Sequence, residues 1–388
     1  LADPLKKVLI IAYYWPPAGG PGAIRIVKWV KYLVRLGWQP IVLTVKDGEF
    51  PYHDPGLVQE ILEDVPVHRT NAPSPFTLYK KITEKKSGDS LPVGVLSLEK
   101  RGFFDKLSSW IRCNLFVPDA RIGWIRQATK RACELIREHD IKVMLISSPP
   151  HSSQLIGLRV KKKMNVRWLA DLRDPWTEIR HYESVSRSPA TVWLDKHYEK
   201  QVLETCDHMT TVSKTLAADF ERLGGSSNRI SVLMNGFDPD DFPISEHPKT
   251  DQFRIVHTGN LLENQNPEVL WQALQRLLDS DPKLKTVLKI RLTGRTHPAV
   301  IKSNNQYGLE PYLLQQPFIP HDSILHEIQN ASLLFVTVPN VTKNRGIVTG
   351  KLLEYTGSRC PILVIGPMDG DAADIARSLS NSRAVQYN

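Results

Sequence analysis

The sequence predicts an α/β protein built from two doubly wound parallel-sheet domains, and three observations carry that expectation. Short apolar runs alternate with amphipathic stretches of helical period along most of the chain. The alternation stops at Asn235-Gly236-Phe237-Asp238-Pro239 and then starts again. The chain has 388 residues, long enough for two such domains.

In the first half, strands are expected at 8–12, 41–45, 143–147, 167–170, 209–212 and 230–233. Helical patterns lie between them at about 21–36, 127–139, 152–163, 192–205 and 214–223. In the second half, strands are expected at 253–257, 287–292, 316–319, 333–338, 361–365 and 384–387, with helices at 267–278, 323–329 and 350–357. Pro, Asp and Gly cluster at 235–250, which reads as the hinge, so the expected domains are 1–240 and 241–388. Open sheets of this kind bind ligands at the carboxyl ends of their strands, so two facing domains place a site in a cleft. Residues 51–123 interrupt the pattern as an insertion. Its Lys80–Ser90 stretch reads as a mobile loop. Residues 102–112 carry aromatics and leucines with basic neighbours. They read either as a helix facing a membrane or acceptor, or as one packed on its own domain.

Hydrophobic residues make up 41% and charged residues 23%, which excludes a disordered chain. No apolar run reaches eighteen residues, so no spanning helix is expected, and the first apolar run is too short for a signal peptide. Cys113, Cys133, Cys206 and Cys360 show no metal-ligand spacing and read as reduced thiols of a cytosolic protein. A net charge of +9 suits phosphorylated small substrates and an anionic membrane surface. No nucleic-acid module is present, so no nucleic-acid partner is expected.

Four motifs sit where strands are expected to hand over to helices. The first, Tyr13 to Arg25, carries Gly19, Gly20 and Gly22. Glycines there admit a ligand to the backbone, and a helix N-terminus favours anions. They equally serve to shape a turn. The second is Ser147-Ser148-Pro149-Pro150-His151. His151 either donates a hydrogen bond to a substrate hydroxyl or phosphate, or caps the helix. The third, Trp168 to Trp176, holds Asp171, Arg173, Asp174 and Trp176. These groups either form an internal Arg–Asp pair or recognise an acceptor sugar, with Trp176 stacking on it. The fourth, Gly346 to Tyr355, leads Thr349, Gly350, Lys351 and Glu354 into a helix. Amides and Lys351 would hold a diphosphate and Glu354 a ribose, unless the charges are a solvated pair.

Together with segments 114–124, 235–242 and 351–361, these motifs resemble, in order and over nearly the whole chain, the large retaining GT-B family of glycosyltransferases that build bacterial surface polysaccharides. The subgroup is one with an Arg-Asp-Pro-Trp motif, here Arg173 to Trp176. The resemblance implies a GT-B fold of two Rossmann-like domains facing across a cleft. It implies a nucleotide-sugar donor, UDP- or GDP-linked, on the second domain and a lipid-linked or glycan acceptor on the first. It implies no metal and no cofactor, and a peripheral place at the inner face of the plasma membrane. By resemblance Glu354 binds ribose, His151 lies near the transferred sugar as a catalytic group with Lys351, and Gly19, Gly20 and Gly22 face the donor phosphates. Gly259, Asn260 and Gly346 also fall in the donor site, and Arg25 on the acceptor side with Asp171, Arg173, Asp174 and Trp176.

Two departures qualify this picture. The family's earlier glutamate, eight positions before Glu354, is Gly346 here, and its phosphate-binding cations fall at Asn260 and Asn266. Charge-assisted hydrogen bonds contribute about 1.5–3 kcal/mol each, so Lys351, Arg295 and Arg345 are the candidate replacements. The family also continues past the last strand with helices that cross back, whereas this sequence stops at Asn388. A non-catalytic relative acting as a scaffold, or a nucleotide-sugar epimerase, are the alternative functions.

Overall fold

The computed structural model describes residues 6–51, 53–72, 110, 113–179, 182, 186–242, 251–319 and 321–387. The Lys80–Ser90 stretch lies outside the described residues, and of 102–112 only Trp110 lies within them. The chain divides into two compact units, 1–212 with 216–233, and 213–215 with 234–388.

In the first unit, seven strands among the described residues form a parallel sheet. They are β1 (Lys6–Ala12), β2 (Trp38–Val45), β3 (Val67–Thr70), β4 (Val143–Ser148), β5 (Arg167–Leu172), β6 (His208–Thr211) and β7 (Ile230–Val232). Their order is β3-β2-β1-β4-β5-β6-β7. β1 explains why the run is continuous rather than alternating. Leu9 and Ile11 enter one buried cluster while Val8 and Ile10 enter the other, so both faces are covered. The helix Pro21–Arg35 closes one face with Ala23, Ile26, Val27 and Val30. The helix Ile125–Glu138 closes the other with Ala128, Ala132, Leu135 and Ile136. Each fully buried aliphatic side chain of β1 stabilises the fold by about 1.5–3 kcal/mol before entropy is set against it.

The second unit holds β8 (Phe253–Thr258), β9 (Leu288–Thr293), β10 (Leu313–Gln316), β11 (Leu333–Thr337), β12 (Ile362–Ile365) and β13 (Arg383–Val385). Among the described residues they form a parallel sheet in the order β10-β9-β8-β11-β12-β13. The helix Glu268–Ser280 buries Leu270, Trp271, Leu274 and Leu278 on one face, and the helix Gly350–Gly357 buries Leu352 and Tyr355 on the other.

Both sheets reverse their winding once, between β1 and β4 in the first and between β8 and β11 in the second. There the flanking loops leave in opposite directions and open a crevice at the strand ends. The expected strand at 316–319 is a correction: β10 ends at Gln316, because Pro317 has no N–H to give the ladder. The interrupted region also holds β3 and the short helix Pro55–Gln59, which the pattern did not predict. A four-residue edge strand is too short to show a period. The helix Pro298–Gln306 was likewise not expected, since Ser303, Asn304 and Asn305 mask its apolar face.

Candidate functional site

The winding reversal of the first unit collects three predicted motifs. Gly20 adopts φ 89°, a conformation that favours glycine, and hands β1 to the helix that starts at Pro21. Gly19 is pressed against Asp54, where an added Cβ would come within 2.9 Å of the Asp54 Cβ. Gly22 is pressed against Arg173, whose Nη1 would lie 2.4 Å from an added Cβ. Arg173 in turn reaches Ser147 Oγ at 3.2 Å through Nε and the Pro149 carbonyl at 3.2 Å through Nη2. The loops after β1, β4 and β5 are thus tied together by one guanidinium.

Beneath it lies a buried charge pair. Asp171 is fully buried and accepts from Arg25 Nη2 at 3.0 Å and Nε at 3.3 Å, from Ser147 Oγ at 2.7 Å and from Thr210 Oγ1 at 2.9 Å. Arg25 also donates to the Leu233 carbonyl at 2.8 Å and covers the Trp29 ring at 4.2 Å. Breaking a buried pair of this kind costs about 3–5 kcal/mol, because the remaining charge is left without a counter-ion. Of the two readings of this motif, the internal Arg–Asp pair is present: Arg25 and Asp171 are buried struts of the loop, and Arg173 is half-buried beside them. Asp174 is exposed.

Trp176 requires a second correction. It is fully buried, its Nε1 donates to Asp195 Oδ1 at 2.7 Å, and its ring stacks on His151 at 5.0 Å with 11° between planes. No open face remains for a sugar. His151, 6% exposed, places Nε2 3.2 Å from the Pro175 carbonyl. A carbonyl only accepts, so Nε2 carries the proton and Nδ1 presents a lone pair. Burial lowers the His151 pKa to about 3, so the ring is neutral, and Nδ1 has no hydrogen-bond partner among the described residues. The protonated nitrogen of His151 is thus bound within the protein, and the buried Nδ1 is its unpartnered polar atom.

The second unit's reversal is built around Gly259. Its φ of 84° and its contact with Lys351, whose Cε would lie 2.7 Å from an added Cβ, leave room for no side chain. The backbone N–H of Thr258 donates to the Tyr355 hydroxyl at 2.8 Å, which locks the end of β8 to the Gly350–Gly357 helix. Lys351 Nζ donates to the Asn260 carbonyl at 2.8 Å, and burial lowers its pKa to about 8. Thr349 caps the helix, its hydroxyl accepting from the Leu352 N–H at 3.4 Å. Glu354 accepts from His321 Nε2 at 2.7 Å. Gly346 lies against Thr215, 3.2 Å from where its Cβ would be.

The cations are unevenly placed. Arg345 pairs with Asp369 at 2.7 Å. Arg295 is exposed, and its side chain makes no hydrogen bond or ion pair among the described residues. Asn266 accepts from Trp271 Nε1 at 3.1 Å, so it serves the core. Two surface depressions in this unit, one lined by Thr296, Lys302 and Gln315 and the other by Arg254, Arg291 and Glu327, include none of these site residues. Among the described residues no cluster of three His, Cys, Asp or Glu side chains could hold a metal, and no helix is long and apolar enough to cross a membrane.

Several site residues escaped sequence reasoning. Asp119 accepts from the Ser152 N–H at 2.8 Å and the Ser152 hydroxyl at 2.7 Å, gripping the turn that carries His151. The 114–124 segment drew notice for its resemblance alone. Asp195 and Glu199 face inward from the Pro189–Thr205 helix with Val202. Burial pushes Glu199 up to about 7 while Thr177 donates to it from both its hydroxyl and its N–H. Carboxylates four apart on a helix read as a solvent face, and only their shared spacing with Thr191 and Val202 hinted otherwise.

Residues 19–236 match the family described as Glycosyl transferase 4-like domain. No curated protein matches the chain in sequence. Among solved structures it resembles a glycosyltransferase from Rickettsia africae (14% identity, TM-score 0.59, covering 98% of this chain and 84% of that one). It also resembles Anabaena HepE in complex with UDP (13%, 0.60, 98% and 86%). A third is S. aureus TarM, as a mutant in complex with fondaparinux, α-GlcNAc-glycerol and UDP (9%, 0.60, 98% and 90%).

Proposed function

The chain belongs to the glycosyl transferase 4-like family and has the GT-B fold, and from that premise we propose that it moves a sugar from a nucleoside-diphosphate donor to a lipid-linked or glycan acceptor, with retention, in cell-surface polysaccharide synthesis. The donor belongs to the second unit and the acceptor to the first. The observation that carries the reading is Lys351: a partly buried ammonium in the first turn of the Gly350–Gly357 helix, at the winding reversal of the second sheet. The first amides of a helix have no partner inside it, so they and Lys351 suit a diphosphate. Glu354, one turn later, offers a carboxylate to ribose hydroxyls. His151, neutral and protonated at Nε2, is the first unit's group near the transferred sugar. Arg295 is the remaining cation for the phosphates. The charge of +9 supports a cytoplasmic enzyme that works at an anionic membrane.

Thermal unfolding with UDP, GDP, ADP, dTDP and CMP tests the donor site. A ligand at a hundred times its Kd adds about 2.7 kcal/mol to the native state, so one diphosphate should raise Tm. The shift should vanish in Lys351→Met and Glu354→Gln. NMR of the product's anomeric proton then reads retention. The asparagines at 260 and 266 favour a second reading, a non-catalytic scaffold that has lost its phosphate cations. Absence of any nucleotide shift would favour it, whereas an epimerised donor without acceptor would favour the epimerase.

A further inference from the structure

The Pro175-Trp176 pair touches His151 twice. The Pro175 carbonyl accepts a hydrogen bond from Nε2, and the Trp176 ring covers one imidazole face. The tautomer and the ring plane of His151 are therefore set by two consecutive residues. Trp176 has a single polar atom, and it is bound to Asp195 Oδ1 at 2.7 Å. A buried indole N–H without an acceptor is costly, so this bond fixes how the indole is turned. Asp195 is itself held, since its Oδ2 lies 2.6 Å from Arg187 Nη2, with side-chain exposures of 0% and 6%. The Arg187 guanidinium covers the Tyr182 ring at 3.8 Å, and the Tyr182 hydroxyl donates to the Pro118 carbonyl at 3.1 Å. Pro118 adjoins Asp119, which grips Ser152 beside His151. The imidazole is thereby clamped from both of its sides by one closed chain of contacts.

We propose that Asp195 is a positioning residue that acts through Trp176 to hold His151 in its Nε2-protonated tautomer and to fix the plane of its ring. The inference rests on the role given to His151 above. Apolar residues in place of both Asp195 and Arg187 would avoid the desolvation cost of two buried charges, so the pair kept here serves orientation. What the carboxylate adds is direction, because it accepts from one donor on each oxygen and so fixes both neighbours.

The test is nitrogen-15 histidine NMR of the full chain together with steady-state kinetics, for Trp176→Phe and Asp195→Asn. The His151 signals are assigned by their loss in His151→Ala. The native protein should show one tautomer, protonated at Nε2. Both variants should shift or mix the His151 signals and lower kcat about tenfold or more, with little change in donor KM. The double variant should lose no more than the worse single, since both act through one contact. Trp176→Phe leaves the Asp195–Arg187 pair intact and serves if Asp195→Asn does not fold. Unchanged His151 spectra in the folded variants overturn the proposal whatever the kinetics do. The spectra need no turnover, so a chain that proves inactive would refute the transferase reading and leave this inference to be decided separately.

Discussion

Lys351 packs its stem against Gly259, and the partial loss of water lowers its pKa to about 8. The sign of the consequence differs for folding and for binding. An unfolded lysine titrates near about 10.4, so between about 8 and 10.4 the unfolded chain holds the extra proton and this group makes stability rise with pH. Diphosphate binding needs the ammonium and runs the other way. Donor affinity should be level from pH 7 to 8 and fall about tenfold per pH unit above, a profile that calorimetric titration reads and Lys351→Met should flatten. A level profile in the native chain would remove Lys351 from the phosphate site. At this scale the sequence locates residues on their elements but not the contacts their side chains make. Lys351 lies at the start of its helix as expected, and Thr349 two positions before it is the cap. The place of the His151 proton depends on the Pro175 carbonyl across the turn, which no local pattern shows.

The Gln154–Lys161 helix shows how closely elements meet behind the site. Gly157 faces Trp168 of β5, and an added Cβ would lie 2.3 Å from the indole Cε2. Trp168 is fully buried and has nowhere to move. Gly157→Ala should therefore destabilise the protein by about 1–3 kcal/mol, despite alanine's better helix propensity, as denaturant unfolding would show. A gain in stability would mean the helix can shift away from the sheet. Elements were legible where the apolar run was long, as in β1, β2 and β4. They were illegible where packing rather than pattern made them. β3 exists because Val42 to Val45 offer it a partner edge, and the Pro298–Gln306 helix buries Val300 beneath polar neighbours.

At the scale of the whole molecule, charge is the property that speaks to location. The chain carries +9, and the first unit exposes Trp110, Leu115 and Trp193, 45%, 66% and 66% accessible. A net basic charge and exposed aromatics are what the proposed place at an anionic bilayer surface rests on. The protein should float with vesicles rich in anionic lipid at low salt, and neither with neutral vesicles nor at high salt. Sedimentation away from every vesicle would sink the membrane reading. Strand and helix periods, the glycine turns and the restart after Pro239 were enough to determine two parallel α/β units and to put the motifs at strand ends, because period and turn chemistry are local properties of the chain. Which polar groups meet was decided only by the tertiary structure. Arg25 finds Asp171 across 146 residues, and Trp176 loses its open face to His151 and Asp195. Such pairings depend on strand order and register, which bring together side chains whose separation along the chain carries no trace of the contact.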